Sequence, residues 1–216
     1  ILAAMLLPGL AQAKERAHRV NCLGNIRQIG IALMLYEDDF RRFPECESQV
    51  SHYGDSTTPS YISLLAPYTQ TRQNGVFACP SAKPSPLADE APTPTSSTSY
   101  YANAVFMGRS SSVGPTPAEL IVLQETIVRV HAAGLRPYKL NPGADPADAR
   151  YTWWHENISR GYEIYTAIHQ KGGNLGFIDG HAEYRKGRTL TAGQFGLAPA
   201  EDTQGSDPTK TYRGQF

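Results

Sequence analysis

The first forty residues constrain the chain more than any other stretch. Ile1 to Leu7 (ILAAMLL) carry no polar side chain, Pro8-Gly9 follows, and charged residues enter from Lys14 onward. From Val20 the large apolar residues fall at Val20, Leu23, Ile26, Ile29, Leu33 and Tyr36. Steps of three and four residues are the period of an amphipathic helix with one buried stripe. Lys14, Glu15, Arg16, Arg19 and Arg27 fall mostly off that stripe. A helix apolar on every face is buried in protein or in lipid, so a single element is expected to change character along its length. Seven apolar residues fall well short of the roughly 20 that cross a bilayer. Two readings stand: Ile1 continues a longer apolar helix, or a short buried helix packs into its own domain. Phe43-Pro44 ends the helix, because the residue before proline is pushed out of the helical region. This divides the chain into a helix over 1–39 and a β-rich head over 40–216.

Within the head, Tyr61 to Leu65 reads as a short helix, and Tyr100 to Met107 and Leu120 to Val130 as strands. The β-branched content of the second fits a central, largely covered strand. Arg136 to Arg150 holds Pro137, Pro142 and Pro146 and reads as a loop. Glu163 to His169, Asn174 to Ile178 and His181 to Arg185 form an expected three-stranded meander. Its turns are Lys171-Gly172-Gly173 and Asp179-Gly180, the latter a two-residue hairpin turn with positive φ at both positions. A short helix is expected near Leu190 to Phe195. The predicted class is α+β: a long N-terminal α-helix packed on a mainly antiparallel β-sheet, with long loops.

Lys plus Arg equals Asp plus Glu at 20 each in 216 residues, so no bulk field favours nucleic acid. Lys14, Arg16, His18 and Arg19 make a local basic cluster, read as a solvated helix face. In a domain outside the cytoplasm the three cysteines allow one disulfide, expected between Cys46 and Cys79, with Cys22 packed in the helix stripe. No two cysteines have CxxC spacing, so no structural zinc site is expected.

The residues that carry chemistry elsewhere are His155, Glu156, His169, Asp179, His181 and Glu183. A single cation held by His169, Asp179 and His181 conflicts with the meander. His169 and Asp179 sit at opposite ends of a strand of about five residues, on the order of 15 Å apart at about 3.3 Å per residue. Zinc ligands each lie within about 2.0–2.3 Å of the metal. These residues are therefore read as structural, Asp179-Gly180 making the turn. Trp153-Trp154 reads as a loop anchor, or as a stacking platform for a sugar or a partner. No G-x-S-x-G elbow and no phosphate-binding glycine motif is present, and no catalytic residue, metal ligand or cofactor site is assigned.

The stretch ILAAMLLPGLAQAKERAHRVNCLGNIRQIGIALMLYEDDFRRFP resembles the end of the N-terminal helix of prepilin-like proteins, the type IV pilin and type II secretion pseudopilin relatives. His169 followed by nine residues and Asp179-Gly180 resembles the H-X9-DG signature associated with that group. Phe77-Ala78-Cys79-Pro80 and Ser99-Tyr100-Tyr101-Ala102-Asn103 also look like its landmarks. The leader and cleavage motif of the group are not among the residues here, so the resemblance implies that Ile1 continues a longer helix. It further implies a non-enzymatic subunit held in the bacterial inner membrane before assembly, its head in the periplasm or at the cell surface. Ile1, Leu2, Met5, Leu6, Leu7, Pro8 and Leu10 would then pack against other copies or other pilin-like subunits within a secretion or pilus machinery. Pro8-Gly9 would loosen the helix, since proline removes a backbone hydrogen bond. Some relatives hold calcium in a C-terminal loop, for which Asp145 and Asp148, or Glu201, Asp202 and Asp207, would be the candidate oxygen donors here. The alternative is a membrane-tethered module whose Trp153-Trp154 loop takes polysaccharide or another surface ligand.

Overall fold

A computed structural model describes residues 2–44, 60–69, 75–84, 97–103, 105–112, 116–130, 134–135, 137–139, 151–153, 168–170, 172–186 and 192–196. Helix α1 (Leu2–Phe40) is 39 residues long, roughly 60 Å at about 1.5 Å per residue. It passes Pro8 without a break. The loosening expected at Pro8-Gly9 therefore does not interrupt the helix. Among the described residues no helix is long and apolar enough to cross a membrane.

The helix ends one residue later than its pattern predicts. Arg41 adopts φ 61° while its N–H still donates to Glu37 O at 2.7 Å. Phe43 then turns inward, and its N–H donates to Arg109 O at 2.7 Å. Gly108 N–H closes the same clasp on Pro44 O at 3.1 Å. Helix α2 (Tyr61–Leu65) has Ser60 as its N-cap, the side chain accepting from Ser63 N–H.

The strands are β1 (Lys83–Pro84), β2 (Thr98–Asn103), β3 (Ile121–Val130), β4 (Gly134–Leu135), β5 (Pro137–Lys139), β6 (Tyr151–Trp153), β7 (Gly172–Phe177) and β8 (Ala182–Lys186). Five of them run in the order β4-β2-β3-β7-β8, β1 pairs with β3, and β5 and β6 pair by themselves. The β2–β3, β3–β7 and β7–β8 pairs are antiparallel, whereas β1–β3 and β2–β4 are parallel. The result is an α+β fold in which a long helix packs on a mixed sheet with an antiparallel spine.

Four local expectations shift. Strand β2 starts at Thr98 and stops at Asn103, where the Asn103 carboxamide takes over. It accepts from Val105 N–H at 3.0 Å and donates to Ile121 O at 2.8 Å and Phe195 O at 3.1 Å. The stretch read as a loop contains β5, whose Pro137 is its first residue, a position where a missing N–H is tolerated. Gly172 and Gly173 belong to β7 rather than to a turn; the preceding bend falls at Gln170 (φ 50°), between paired His169 and Gly172. Finally, the β7–β8 hairpin has three loop residues, Ile178, Asp179 and Gly180. Phe177 N–H donates to His181 O and Gly180 N–H to Phe177 O, both at 2.9 Å. Only Gly180 takes positive φ (85°), as a three-residue loop requires. The strand expected over Glu163 to His169 lies outside the described residues up to 167. The helix expected near Leu190 is a 3-10 turn, Ala192–Phe195.

The helix stripe lies on β7 and β8. Cys22, Ile26, Ile29, Gly30 and Leu33 are buried, with Leu23 and Tyr36 packed against them. Val20 is 61% exposed, so the buried stripe begins at Cys22 rather than at Val20. Two glycines permit the close approach. A Cβ on Gly176 would stand 2.8 Å from Ile26 Cγ2, and one on Gly30 would stand 2.8 Å from Gly180 O.

Candidate functional site at the helix–sheet interface

Where α1 first meets the sheet, four distant segments deliver sulfur, nitrogen and oxygen side chains to one buried point. Cys22 comes from the helix and Cys79 from the segment after the 3-10 turn Gly75–Phe77. They are bonded to each other, with 5.2 Å between Cα atoms and a sequence separation of 57. This corrects the expected Cys46–Cys79 pairing; Cys46 lies outside the described residues. Cys22 occupies the buried stripe, as expected, and the Cys79 segment packs directly on it there. Asn25 holds that segment, its Nδ2 donating to Ala78 O and to Tyr100 Oη at 3.3 Å each. Cys79 N–H donates to Ser99 Oγ at 2.5 Å.

Strand β3 contributes Glu125. Alternation puts Leu123 and Glu125 on one face of the strand, the face that meets α1, since a Cβ on Gly176 would touch both Ile26 and Leu123. Glu125 is 1% exposed, and its Oε2 accepts from Asn174 N–H at 2.9 Å. His169, immediately before β7, is fully buried. Its Nδ1 is 2.5 Å from Glu15 Oε1, and its Nε2 is 3.2 Å from Glu125 Oε1 and 3.5 Å from Cys79 Sγ. Tyr184 Oη donates to the His169 carbonyl at 2.8 Å and fixes the backbone there. Arg19 stacks on the Tyr184 ring at 4.6 Å, and its carbonyl accepts from Asn174 Nδ2 at 3.2 Å.

Burial pulls the His169 imidazole down. The hydrogen bonds and charges of Glu125 and then Glu15 outweigh it, so the pKa is raised above the ordinary 6.5. Burial, with Glu125 adding to it, holds the Tyr100 phenol well above 10, so it stays protonated. In the disulfide form the imidazole is clasped between the Glu15 and Glu125 carboxyl groups beside a sulfur bridge. One ligand atom from each of Cys22, Cys79, Glu125 and His169 lies within 4.8 Å of every other.

The sequence-predicted residues distribute as follows. His169 and Asp179 fall at opposite ends of β7, as the spacing argument holds. His169 flanks the bend before β7, as expected, but its side chain is buried under the helix rather than lining the sheet edge. Asp179 stays at the hairpin, where its Oδ1 accepts from His181 N–H at 3.1 Å and lies 2.6 Å from His181 Nδ1. Gly180 abuts Gly30 of the helix. Leu6, Leu7 and Leu10 stand exposed on α1; Pro8 lies in the unbroken helix, and Leu2 and Met5 are known only as helical backbone. Trp153 is likewise placed as backbone in β6. Ile1, Trp154, His155, Glu156, Asp145, Asp148, Glu201, Asp202 and Asp207 lie outside the described residues. Sequence reasoning missed Glu15, Cys22 and Glu125 as site residues. The available signal was an acid within the otherwise largely apolar run LIVLQETIV.

These features define an α+β domain whose long helix is bonded covalently to the segments that cover the sheet. The chain belongs to the family described as protein of unknown function (DUF1559), whose pattern matches residues 11–119. The match takes in Glu15, Cys22 and Cys79 and ends before Glu125, His169, Asp179 and Gly180. No curated protein and no solved structure matches the chain.

Proposed function

We propose that the chain is a pilin-like subunit that acts by assembly rather than catalysis, through the part of α1 that projects beyond the head. The observation that carries this reading is the exposure of Leu6, Leu7 and Leu10, at 71%, 66% and 68%. Contacts of the helix with the sheet begin around Glu15 and Cys22, so this apolar segment has no partner among the described residues. Apolar surface removed from water contributes about 25 cal/mol per Å²; helices of neighbouring subunits would supply the missing cover, and lipid of the bacterial inner membrane would do so before assembly. The disulfide supports a head outside the reducing cytoplasm. Membership of the family and the helix-on-sheet form support the same reading.

A photo-cross-linking residue placed at Leu7 in the full-length gene product, expressed in its own bacterium, tests this. The expected result is a ladder of cross-links to further copies or to other helix-led subunits. The ladder should be lost in a Leu6→Ser/Leu7→Ser/Leu10→Ser variant whose Cys22–Cys79 bond still forms. A folded, disulfide-bonded protein that cross-links only to unrelated soluble proteins sinks the assembly reading.

A further inference from the structure

We propose that, once the Cys22–Cys79 bond is reduced, Cys22, Cys79, Glu125 and His169 bind one zinc-class divalent cation, so that disulfide and metal are alternative closures of the same buried cluster. The geometry is already close to what such an ion needs. Ligands about 2.0–2.3 Å from a tetrahedral centre stand roughly 3.3–3.8 Å from one another. His169 Nε2 lies 3.2 Å from Glu125 Oε1 and 3.5 Å from Cys79 Sγ. The four donors agree within 4.8 Å and are all buried.

The surroundings prepare the donors as well as placing them. Glu15 accepts a hydrogen bond from His169 Nδ1–H, which in the neutral ring leaves the Nε2 lone pair facing the cluster. A carboxylate on the far nitrogen of a ligating histidine is the usual support for zinc. Asn174 N–H occupies Glu125 Oε2 and leaves Oε1 to face His169. An Nε2 lone pair and a carboxylate oxygen at this distance repel unless a proton or a cation lies between them. In the disulfide form the proton serves. With two thiolates added, a set of two sulfurs, one nitrogen and one oxygen favours zinc over the hard cations that prefer oxygen alone.

The conversion balances with a dithiol donor. Its two thiols become a disulfide, and two electrons and two protons pass to Cys22 and Cys79. Metal uptake then releases both thiol protons, together with the Nε2 proton when His169 is an imidazolium.

The test uses the whole chain in a Cys46→Ser background, which removes the third thiol. A phosphine reductant replaces the dithiol so that no added thiol competes for metal; it leaves as phosphine oxide. Cobalt(II) is then titrated without oxygen, during refolding if the reduced chain needs metal to fold. One equivalent should produce a thiolate-to-cobalt charge-transfer band and the visible bands of tetrahedral cobalt, both abolished by zinc. The oxidised chain should show neither. His169→Gln and Glu125→Gln should each weaken binding at least tenfold, and Glu15→Gln by about 10- to 100-fold. Formation of the disulfide on reoxidation checks that each variant folds. Zinc should also raise the thermal midpoint of the reduced chain and leave that of the oxidised chain unmoved. Absence of the charge-transfer band in the reduced chain, or equal cobalt binding by the oxidised chain, overturns the proposal.

Discussion

His169 and Glu15 are 154 residues apart in the chain and 2.5 Å apart in the fold, imidazole Nδ1 against carboxylate Oε1. This contact joins the start of β7 to the first turns of α1 that reach the head. Eleven residues further along, Gly180 rests on Gly30 of the same helix. Strand β7 therefore runs between two anchors on α1. Glu15 to Gly30 is about 22 Å of helix at about 1.5 Å per residue, and six or seven residues of strand at about 3.3 Å cover the same length.

The charge balance at His169 makes the disulfide form sensitive to pH. Glu15 faces the ring from α1 and Glu125 from β3, and the nearest other group is the uncharged sulfur bridge. The folded pKa is raised above 6.5. The stabilisation is thus fully present below about 6.5, the unfolded value, and is lost as pH rises through the folded one. Urea midpoints of the oxidised chain should fall from pH 6 toward pH 9, and His169→Gln should flatten that slope. A gap between the two proteins that stays constant across the range would show that the imidazolium is not what stabilises the fold.

Removing the covalent link has a calculable cost. For a closed loop of 57 residues the chain-entropy account gives about 4 kcal/mol. Cys22→Ser/Cys79→Ser, measured by urea unfolding with a chelator present, should lose close to that amount. A loss under about 1 kcal/mol would mean that the unfolded chain is already held compact by other contacts.

Two glycines of α1 should respond to alanine with opposite signs. At Gly30 the new methyl would meet the Gly180 carbonyl oxygen at 2.8 Å, a backbone atom that cannot swing aside. The expected loss is about 1–3 kcal/mol. At Gly24 nothing lies within 4 Å of the added carbon, so helix propensity alone applies and Gly24→Ala should gain about 0.4–1 kcal/mol. Thermal or urea unfolding of the pair reads the difference directly. Equal effects would mean that the hairpin does not press on Gly30.

Much of the architecture was legible because it rests on local patterns. The stripe through Ile26, Ile29 and Leu33 has helical spacing, the run from Ile121 to Val128 suits a covered strand, and Phe43-Pro44 stops the helix. Gly172 and Gly173 misled because glycine usually marks a turn, whereas here the strand lies against Tyr184 and Arg185 with no room for a side chain at Gly172. The site was much less readable. His169 stood out alone, but Glu15, Cys22, Cys79 and Glu125 reach it from separate segments, and no sequence spacing encodes a contact made only when helix and sheet close. The cysteine pairing failed for the same reason: Cys46 is nearer to Cys79 in the chain, yet the helix brings Cys22 to it.

The position of the sulfur bridge also settles how the molecule bears tension. Pulled from its ends, the chain can unwind α1 as far as Cys22, but there the load divides and crosses to Cys79 through a covalent bond. The 57-residue span between the two sulfurs is shielded from stretching. At about 3.5 Å per residue, roughly 200 Å of contour stays hidden until the bond is cut. The later turns of the helix, its clasp at Phe43 and the short helix at Tyr61 all lie inside that span. An extended molecule would therefore keep this part of itself slack while the rest is taut.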